Sequence, residues 1–162
     1  TTNFSDFDKI ILPGVGSFKS AMDKLKKNDL INFLNLAYKK NIPILGICLG
    51  MQLMCKHSTE GGNTKGLGWF NIEINRFNQK KVKKIPIIGW NNVLQAKKDK
   101  IFNNINSNSD FYFIHSYYLP LSKIYTIGFT NINFNYSSVI KKKTFMDANF
   151  TLKKVRKMAF NS

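Results

Sequence analysis

The most informative segment of the chain runs Pro43-Ile44-Leu45-Gly46-Ile47-Cys48-Leu49-Gly50-Met51-Gln52-Leu53-Met54. Ile44 to Ile47 form a short apolar run that predicts a fully buried strand of a parallel sheet. The residues from Gly50 onward predict a helix, so Cys48 falls at the turn between strand and helix. Glycine on each side lets the backbone turn sharply, because no Cβ stands in the way. The segment therefore predicts a nucleophile elbow built on sulfur.

Two interpretations of Cys48 follow from this placement. The N–H groups of the new helix point back at the turn and favour negative charge. They would stabilise both a thiolate and the oxyanion that forms when the thiolate attacks a carbonyl. Alternatively, Cys48 is a buried structural residue, because free cysteine is among the most buried residue types. Taken alone, residues 46–50 favour the structural interpretation.

Composition indicates a globular chain in a reducing compartment. The 162 residues, 43% apolar and 14% aromatic, suit one domain with its own core. Cys48 and Cys55 lie seven positions apart, which does not predict a disulfide framework. No apolar run reaches membrane-spanning length and the start lacks a signal-peptide pattern. We therefore expect a cytoplasmic protein without membrane contact.

The formal net charge of +16 raises the question of nucleic-acid binding. Only two of the 25 basic residues are arginine, and asparagine, isoleucine and phenylalanine are abundant, as an AT-rich genome produces at tolerant surface positions. No recognised nucleic-acid motif is present. We expect no nucleic-acid partner, and only the net charge supports such binding.

The order of predicted elements indicates an α/β domain. Strands are predicted at 7–12, 44–47, 69–77, 111–118 and 124–129, helices at 18–27 and 30–40, a polar loop at 57–68, and a turn at the end of the apolar stretch 85–91. Strands joined by helices imply a parallel sheet with right-handed crossovers, and ligands bind at the carboxyl ends of such strands. The loop Gly14-Val15-Gly16 and Cys48 both fall at such ends.

Four blocks of sequence carry a family resemblance. They are PGVGSF at Pro13–Phe18, GICLGMQLM at Gly46–Met54, IPIIGWN at Ile85–Asn91 and YFIHSYY at Tyr112–Tyr118. In order and spacing they resemble the glutamine amidotransferase subunits of imidazole glycerol phosphate synthase, a class I, triad-type family. The resemblance implies a three-layer α/β/α fold with a mostly parallel central sheet. It also implies glutamine hydrolysis, with the ammonia passing to a (β/α)8-barrel cyclase in a heterodimer.

The resemblance also implies roles for individual residues. Cys48 matches the nucleophile, and the backbone N–H of Leu49 with the loop at Val15 matches the oxyanion hole. The residues that match glutamine-holding positions are Gly16, Gln52, Glu60, Ser116 and Tyr117. No cofactor or metal is implied. His115 matches a position that is not catalytic, and on an aromatic strand it is predicted to be a packed residue.

Two departures from the family pattern stand out. The family begins with a strand and a helix that precede Thr1, so a fold incomplete at both ends is expected. The family also ends with a Q-F-H-P-E-K-S motif that supplies the triad histidine and glutamate. Here residues 145–155 read FMDANFTLKKV, and His115 is the last histidine. Cys48 would then lack an adjacent base.

The genetic code offers an explanation for the second departure. Codons for Met146 onward, regrouped one base earlier, can be read as Y-G-C-Q-F-H-P-E-K-S, which restores the missing motif. We therefore expect a single domain over residues 1–162 in which 1–145 are family-like and 146–162 are out of frame. Two different functions are also compatible with the sequence: a paralogue that supplies ammonia for a surface-polysaccharide sugar, and a non-catalytic remnant that binds the partner.

Overall fold

The computed structural model describes residues 8–142. These residues form two compact units, 8–74 and 75–142. No helix within residues 8–142 is long and apolar enough to cross a membrane. The predicted out-of-frame segment, 146–162, lies outside the described residues.

The first unit contains two strands that pair in parallel, as predicted. Its elements are β1 (Ile10–Leu12), α1 (Phe18–Lys27), α2 (Leu30–Lys39), β2 (Ile44–Gly46), α3 (Leu49–Leu53), β3 (Cys55–Ser58), β4 (Thr64–Lys65) and the start of β5 (Phe70–Arg76). Ile10 pairs with Ile44 and Leu12 with Gly46. β2 is half-buried, so the prediction of a fully buried strand is wrong. Across residues 8–142 the β1–β2 sheet has only these two strands.

The sequence signals of α1 place both of its ends. The hydroxyl of Ser17, the N-cap, accepts a hydrogen bond from the backbone N–H of Ser20 at 3.4 Å. Phe18, Met22 and Leu25 recur at helical spacing and are buried. The last turn is rich in lysine, which suits the negative end of the helix dipole. The predicted helix at 18–27 is confirmed.

Residues 55–65 form a β-hairpin, and most of it lies in the segment 57–68 that the sequence predicted to be a polar loop. β3 and β4 pair antiparallel through His57 and Lys65, and β3 also pairs in parallel with β5. His57 therefore lies on a strand, and its Nε2 contacts the side-chain oxygen of Asn63. β5 itself follows the prediction, because its alternating residues Phe70, Ile72 and Ile74 are buried.

The second unit is built on an antiparallel sheet. Its elements are the end of β5, β6 (Ile87–Gln95), a 3-10 helix (Lys100–Phe102), β7 (Ser109–His115), β8 (Tyr117–Tyr118), β9 (Thr126–Asn131) and β10 (Asn135–Ile140). The sheet order is β10-β9-β6-β7, and every neighbouring pair is antiparallel. The chain is therefore mixed α/β, and the expected mostly parallel sheet is wrong for residues 8–142.

The connections explain why this unit is antiparallel. β9 and β10 are separated only by residues 132–134, whereas a parallel crossover needs a dozen or more residues. β6 also continues to Gln95, past the turn predicted at its middle. Two clusters of buried residues fill the unit: Val93, Phe102, Ile127 and Val139 in one, and Phe77, Val82 and Tyr136 in the other.

Candidate active site

Cys48 lies on the predicted elbow. β2 ends at Gly46, α3 begins at Leu49, and Cys48 between them has φ 53° and ψ −116°. A non-glycine residue in this region of backbone space is strained, as nucleophile elbows are. The residue is exposed, so the interpretation of Cys48 as a buried structural cysteine is wrong. That interpretation fits Cys55, which is buried.

The two glycines of the elbow are required by close approach. A Cβ on Gly46 would lie 2.7 Å from the backbone nitrogen and Cα of Met51, and a Cβ on Gly50 would lie 1.7 Å from the carbonyl oxygen of Leu12. Real side chains do not fit at such distances. These contacts hold α3 directly against the ends of β1 and β2, which fixes the position of the cysteine.

The glycine loop at 13–17 lies against the same elbow. A Cβ on Gly14 would lie 3.0 Å from the Cβ of Leu49 and 3.1 Å from the backbone nitrogen of Gly50. Gly16 has φ +99°, a conformation that favours glycine, and Val15 is 95% exposed. The structure thus brings the loop that carries Val15 and Gly16 to the elbow, as the strand-end argument predicted.

The electrostatics of Cys48 differ from the prediction. Partial burial of its thiol raises the pKa, the hydrogen bond from the backbone N–H of Leu49 lowers it, and the charge of Glu60 raises it again. The net pKa is raised, so the turn alone does not hold a thiolate. α3 has only five residues, which limits the dipole that could favour the anion. The Leu49 N–H nevertheless points at the sulfur, so it lies next to the place where a carbonyl attacked by Cys48 would develop negative charge on its oxygen.

Glu60 joins the site through a contact that the sequence did not reveal. Its Oε2 accepts a hydrogen bond of 2.9 Å from the backbone N–H of Phe18, the first residue of α1. Its own backbone N–H donates to the hydroxyl of the buried Ser58 at 3.1 Å. A carboxylate at a helix N-terminus is favourable, and this one is near enough to raise the pKa of Cys48. The sequence predicted that α1 begins near residues 17–18, but it did not predict that the Glu60 carboxylate accepts a hydrogen bond there.

The remaining predicted glutamine-holding residues fall in both units. Gln52 is buried on α3, in the same unit as Cys48, Leu49 and Glu60. Ser116 and Tyr117 belong to the second unit. Their role in a glutamine site stays a prediction. The positions expected for the triad histidine and glutamate lie beyond residue 142, outside the described residues.

His115 is packed among aromatic rings, as predicted from its strand. Ring centroids of Phe77, Phe113 and Tyr136 lie 5.2, 5.5 and 5.6 Å from that of His115. Burial lowers its pKa, with a smaller opposing effect of its hydrogen bond to the Tyr117 carbonyl. The neutral imidazole is therefore favoured in the fold.

Comparison with known proteins places this geometry in a family. The model of the family Glutamine amidotransferase class-I matches residues 2–146. The chain is 41% identical over 143 residues to the imidazole glycerol phosphate synthase subunit HisH of Buchnera aphidicola, covering 88% of the chain and 70% of that protein. It is 49% identical over 115 residues to the subunit HisH 1 of Campylobacter jejuni, covering 69% of the chain and 56% of that protein.

A solved structure shares the fold. A glutamine amidotransferase from Thermotoga maritima superposes with a TM-score of 0.56 at 19% identity, covering 78% of this chain and 49% of that one. The expected class of fold is thereby confirmed, with the correction that the sheets of residues 8–142 are not mostly parallel. By the family match and the related sequences, the chain belongs to the class I glutamine amidotransferase family.

Proposed function

We propose that the chain is the glutaminase subunit of an imidazole glycerol phosphate synthase in histidine biosynthesis. The observation that carries this proposal is the exposed Cys48 on a strained strand-to-helix turn, with the N–H of Leu49 at its sulfur. The relatives named as HisH subunits supply the pathway and the existence of a second subunit. Glutamine is the substrate, and its hydrolysis yields glutamate and ammonia.

The chemistry follows from the elbow. The Cys48 sulfur attacks the carboxamide carbon of glutamine, and the carbonyl electrons move to oxygen, where the N–H groups of Leu49 and Val15 stabilise the charge. The base that took the thiol proton gives it to the amide nitrogen, so that collapse of this intermediate expels ammonia and leaves a γ-glutamyl thioester. Water then attacks the thioester carbon, releases glutamate and returns the proton to sulfur. Because the pKa of Cys48 is raised, a base must take the thiol proton first.

Residues around the elbow would hold the substrate. Glu60, whose charge raises the pKa of Cys48, suits the α-ammonium group of glutamine. Gly16 and Gln52 belong to the same unit as Glu60. Ser116 and Tyr117 are the other residues that hold glutamine by resemblance to the family. Two free cysteines, Cys48 and Cys55, fit a reducing cytoplasm.

The base belongs to the part of the chain that we propose is out of frame. The family match ends at residue 146, where the frame argument places the change. In this account the chain as translated is impaired, because residues 146–162 lack the triad histidine and glutamate. The gene sequence around the Phe145 codon tests it. A frame without a run of bases prone to slippage, and without the histidine motif in the other frame, would refute the proposal.

An exposed apolar face of the second unit supports the proposal that a partner subunit binds there. Ile88, Trp90, Tyr112 and Ile114 form an apolar ladder, each about half-exposed or more. Ile88 pairs with Ile114 and Trp90 with Tyr112 across β6 and β7, and the last two rings lie 5.7 Å apart edge to face. Exposed apolar faces of this kind mark docking surfaces. We assign this ladder to the (β/α)8-barrel cyclase, which receives the ammonia in a heterodimer.

The experiment that tests the proposed function is glutamate release from glutamine by the frame-restored chain, with and without a cyclase subunit. The proposed function requires glutamine to be the amide donor and Cys48 to be essential. Release of ammonia from asparagine instead of glutamine would refute it.

A further inference from the structure

Two successive backbone carbonyls, those of Ser116 and Tyr117, accept hydrogen bonds where β8 begins. The N–H of Phe77 donates to the carbonyl of Ser116 at 3.0 Å. The Nδ1 of His115 hydrogen-bonds to the carbonyl of Tyr117 at 2.7 Å. Each peptide unit is planar and trans, so fixing a carbonyl also fixes the N–H on the other side of that unit. The directions of the Tyr117 and Tyr118 N–H groups are therefore set.

The bond from His115 defines its tautomer. A carbonyl oxygen can only accept, so Nδ1 carries the proton. Nε2 is then the acceptor, and the hydroxyl of Tyr136 lies 3.5 Å from it. The rings of Phe77 and Phe113 close the sides of the imidazole. The neighbouring side chains thus orient the imidazole, and the hydrogen bond to the Tyr117 carbonyl does not have to do so.

The bond from His115 is also local, which makes it separable from the core. It spans two residues along the chain, whereas the aromatic packing around it comes from Phe77 just after β5, Phe113 on β7 and Tyr136 on β10. A substitution can remove the Nδ1 donor and keep a side chain of similar size. The hydrogen bond and the packing can therefore be tested independently.

We propose that His115 is a positioning residue for glutamine binding, because it holds the Ser116–Tyr117 segment in its binding conformation through the Tyr117 carbonyl. This inference rests on the proposed function, in which Ser116 and Tyr117 hold glutamine. In this role His115 neither takes part in the chemical step nor acts only by filling the aromatic core. Loss of the bond weakens glutamine binding and leaves the fold intact.

Three variants separate the hydrogen bond from the packing. His115→Leu removes the donor, and His115→Gln carries its amide farther out, near the place of Nε2. His115→Asn keeps an N–H donor close to the place of Nδ1. Isothermal titration of the 162-residue chain with L-glutamine measures affinity, and hydrogen exchange measures protection of the amides of residues 116–118.

The expected result divides the variants by donor position. His115→Leu and His115→Gln weaken glutamine binding roughly tenfold, as the loss of one well-placed hydrogen bond does. They also speed exchange at residues 116–118, whereas His115→Asn stays near the parent chain in both measurements. A purely structural role would make the Asn variant as weak as the Leu variant, which would overturn the proposal.

The two readouts also separate this inference from the proposed function. If the parent chain binds no glutamine, the proposed function fails, and the exchange pattern alone decides whether His115 positions the segment. If His115→Leu and His115→Gln leave exchange at residues 116–118 unchanged, the positioning role is refuted whatever the affinities. Failure of both to fold would show a structural role and would also refute it.

Discussion

Gly50 lies so close to Leu12 that a Cβ on the glycine would stand 1.7 Å from the leucine carbonyl oxygen. This contact holds the first turn of α3 on the end of β1 and so sets the position of Cys48. Because the clash is with backbone, no rotamer change can relieve it.

We therefore expect Gly50→Ala to destabilise the chain by more than about 3 kcal/mol, since overpacking against backbone exceeds the usual range of core substitutions. Gly62→Ala is the matched control, because its Cβ would meet nothing within 4 Å and only its φ of +123° opposes the change. Its cost should be about 1–2 kcal/mol. Urea denaturation of both variants measures the difference. Equal losses would contradict the close-contact account.

The elbow shows how far local sequence signals reach. The turn at Cys48 was predicted from the short apolar run and from the glycine on each side of the cysteine. The start of α1 was predicted from Ser17. Both features depend on neighbours along the chain. The hairpin of β3 and β4 was missed because its segment is polar and because β3 gains its second partner from β5, which lies later in the chain. Tertiary partners decided there, as they often do for short strands.

The candidate site, like the fold, was predicted where local sequence signals determine it and missed where distant contacts do. The strand-end argument placed the glycine loop and Cys48 together, since the ends of paired strands meet at one edge. The capping bond from Phe18 to Glu60 spans 42 positions and has no local signature. The raised pKa of Cys48 was missed for the same reason, because burial and the Glu60 charge arise only in the fold.

Thiol reactivity should distinguish the two cysteines. Cys48 is exposed, whereas burial raises the pKa of Cys55 to about 12. A disulfide reagent at pH 8 should modify Cys48 in the folded chain and reach Cys55 only on unfolding, because the thiolate is the reactive form. Mass spectrometry of the modified peptides identifies the site. Equal rates at both cysteines would show that the fold does not bury Cys55.

Glu60→Gln should speed modification of Cys48 several-fold. The substitution removes a negative charge that raises the pKa of Cys48, so more thiolate is present at a given pH. Its amide oxygen can still accept from the Phe18 N–H. Glu73→Gln is the control, because that carboxylate pairs with Lys56 on the surface. An unchanged rate in the Glu60 variant would show that its charge does not reach the thiol.

Acid should destabilise the second unit through His115. Burial holds its folded pKa below the unfolded value of 6.5, so the unfolded state binds a proton first as pH falls. Its stabilising effect is therefore complete above pH 6.5 and is lost as pH falls toward the folded pKa. The slope is at most about 1.4 kcal/mol per pH unit. Urea denaturation from pH 7.5 to 5 should show this slope, and His115→Asn should lack it.

The apolar ladder should decide assembly with the cyclase. Trp90→Ser should weaken association at least tenfold, because buried tryptophans are common hot spots of interfaces. Leu121→Ser is the matched control, since Leu121 and Trp90 are both 49% exposed but Leu121 lies off the ladder. Affinity is measured by titration calorimetry with the cyclase subunit. Equal weakening by the two variants, or none by Trp90→Ser, would place the interface elsewhere.

Glutamate release from glutamine in the presence of the cyclase, measured for four proteins, decides whether Cys48 is the nucleophile of a glutaminase. The chain as translated should show only background turnover, because loss of a general base costs roughly 10²–10⁴-fold. The frame-restored chain should be active, its Cys55→Ala variant should remain active, and its Cys48→Ala variant should fall to background. Turnover that survives Cys48→Ala in the restored chain would contradict the account.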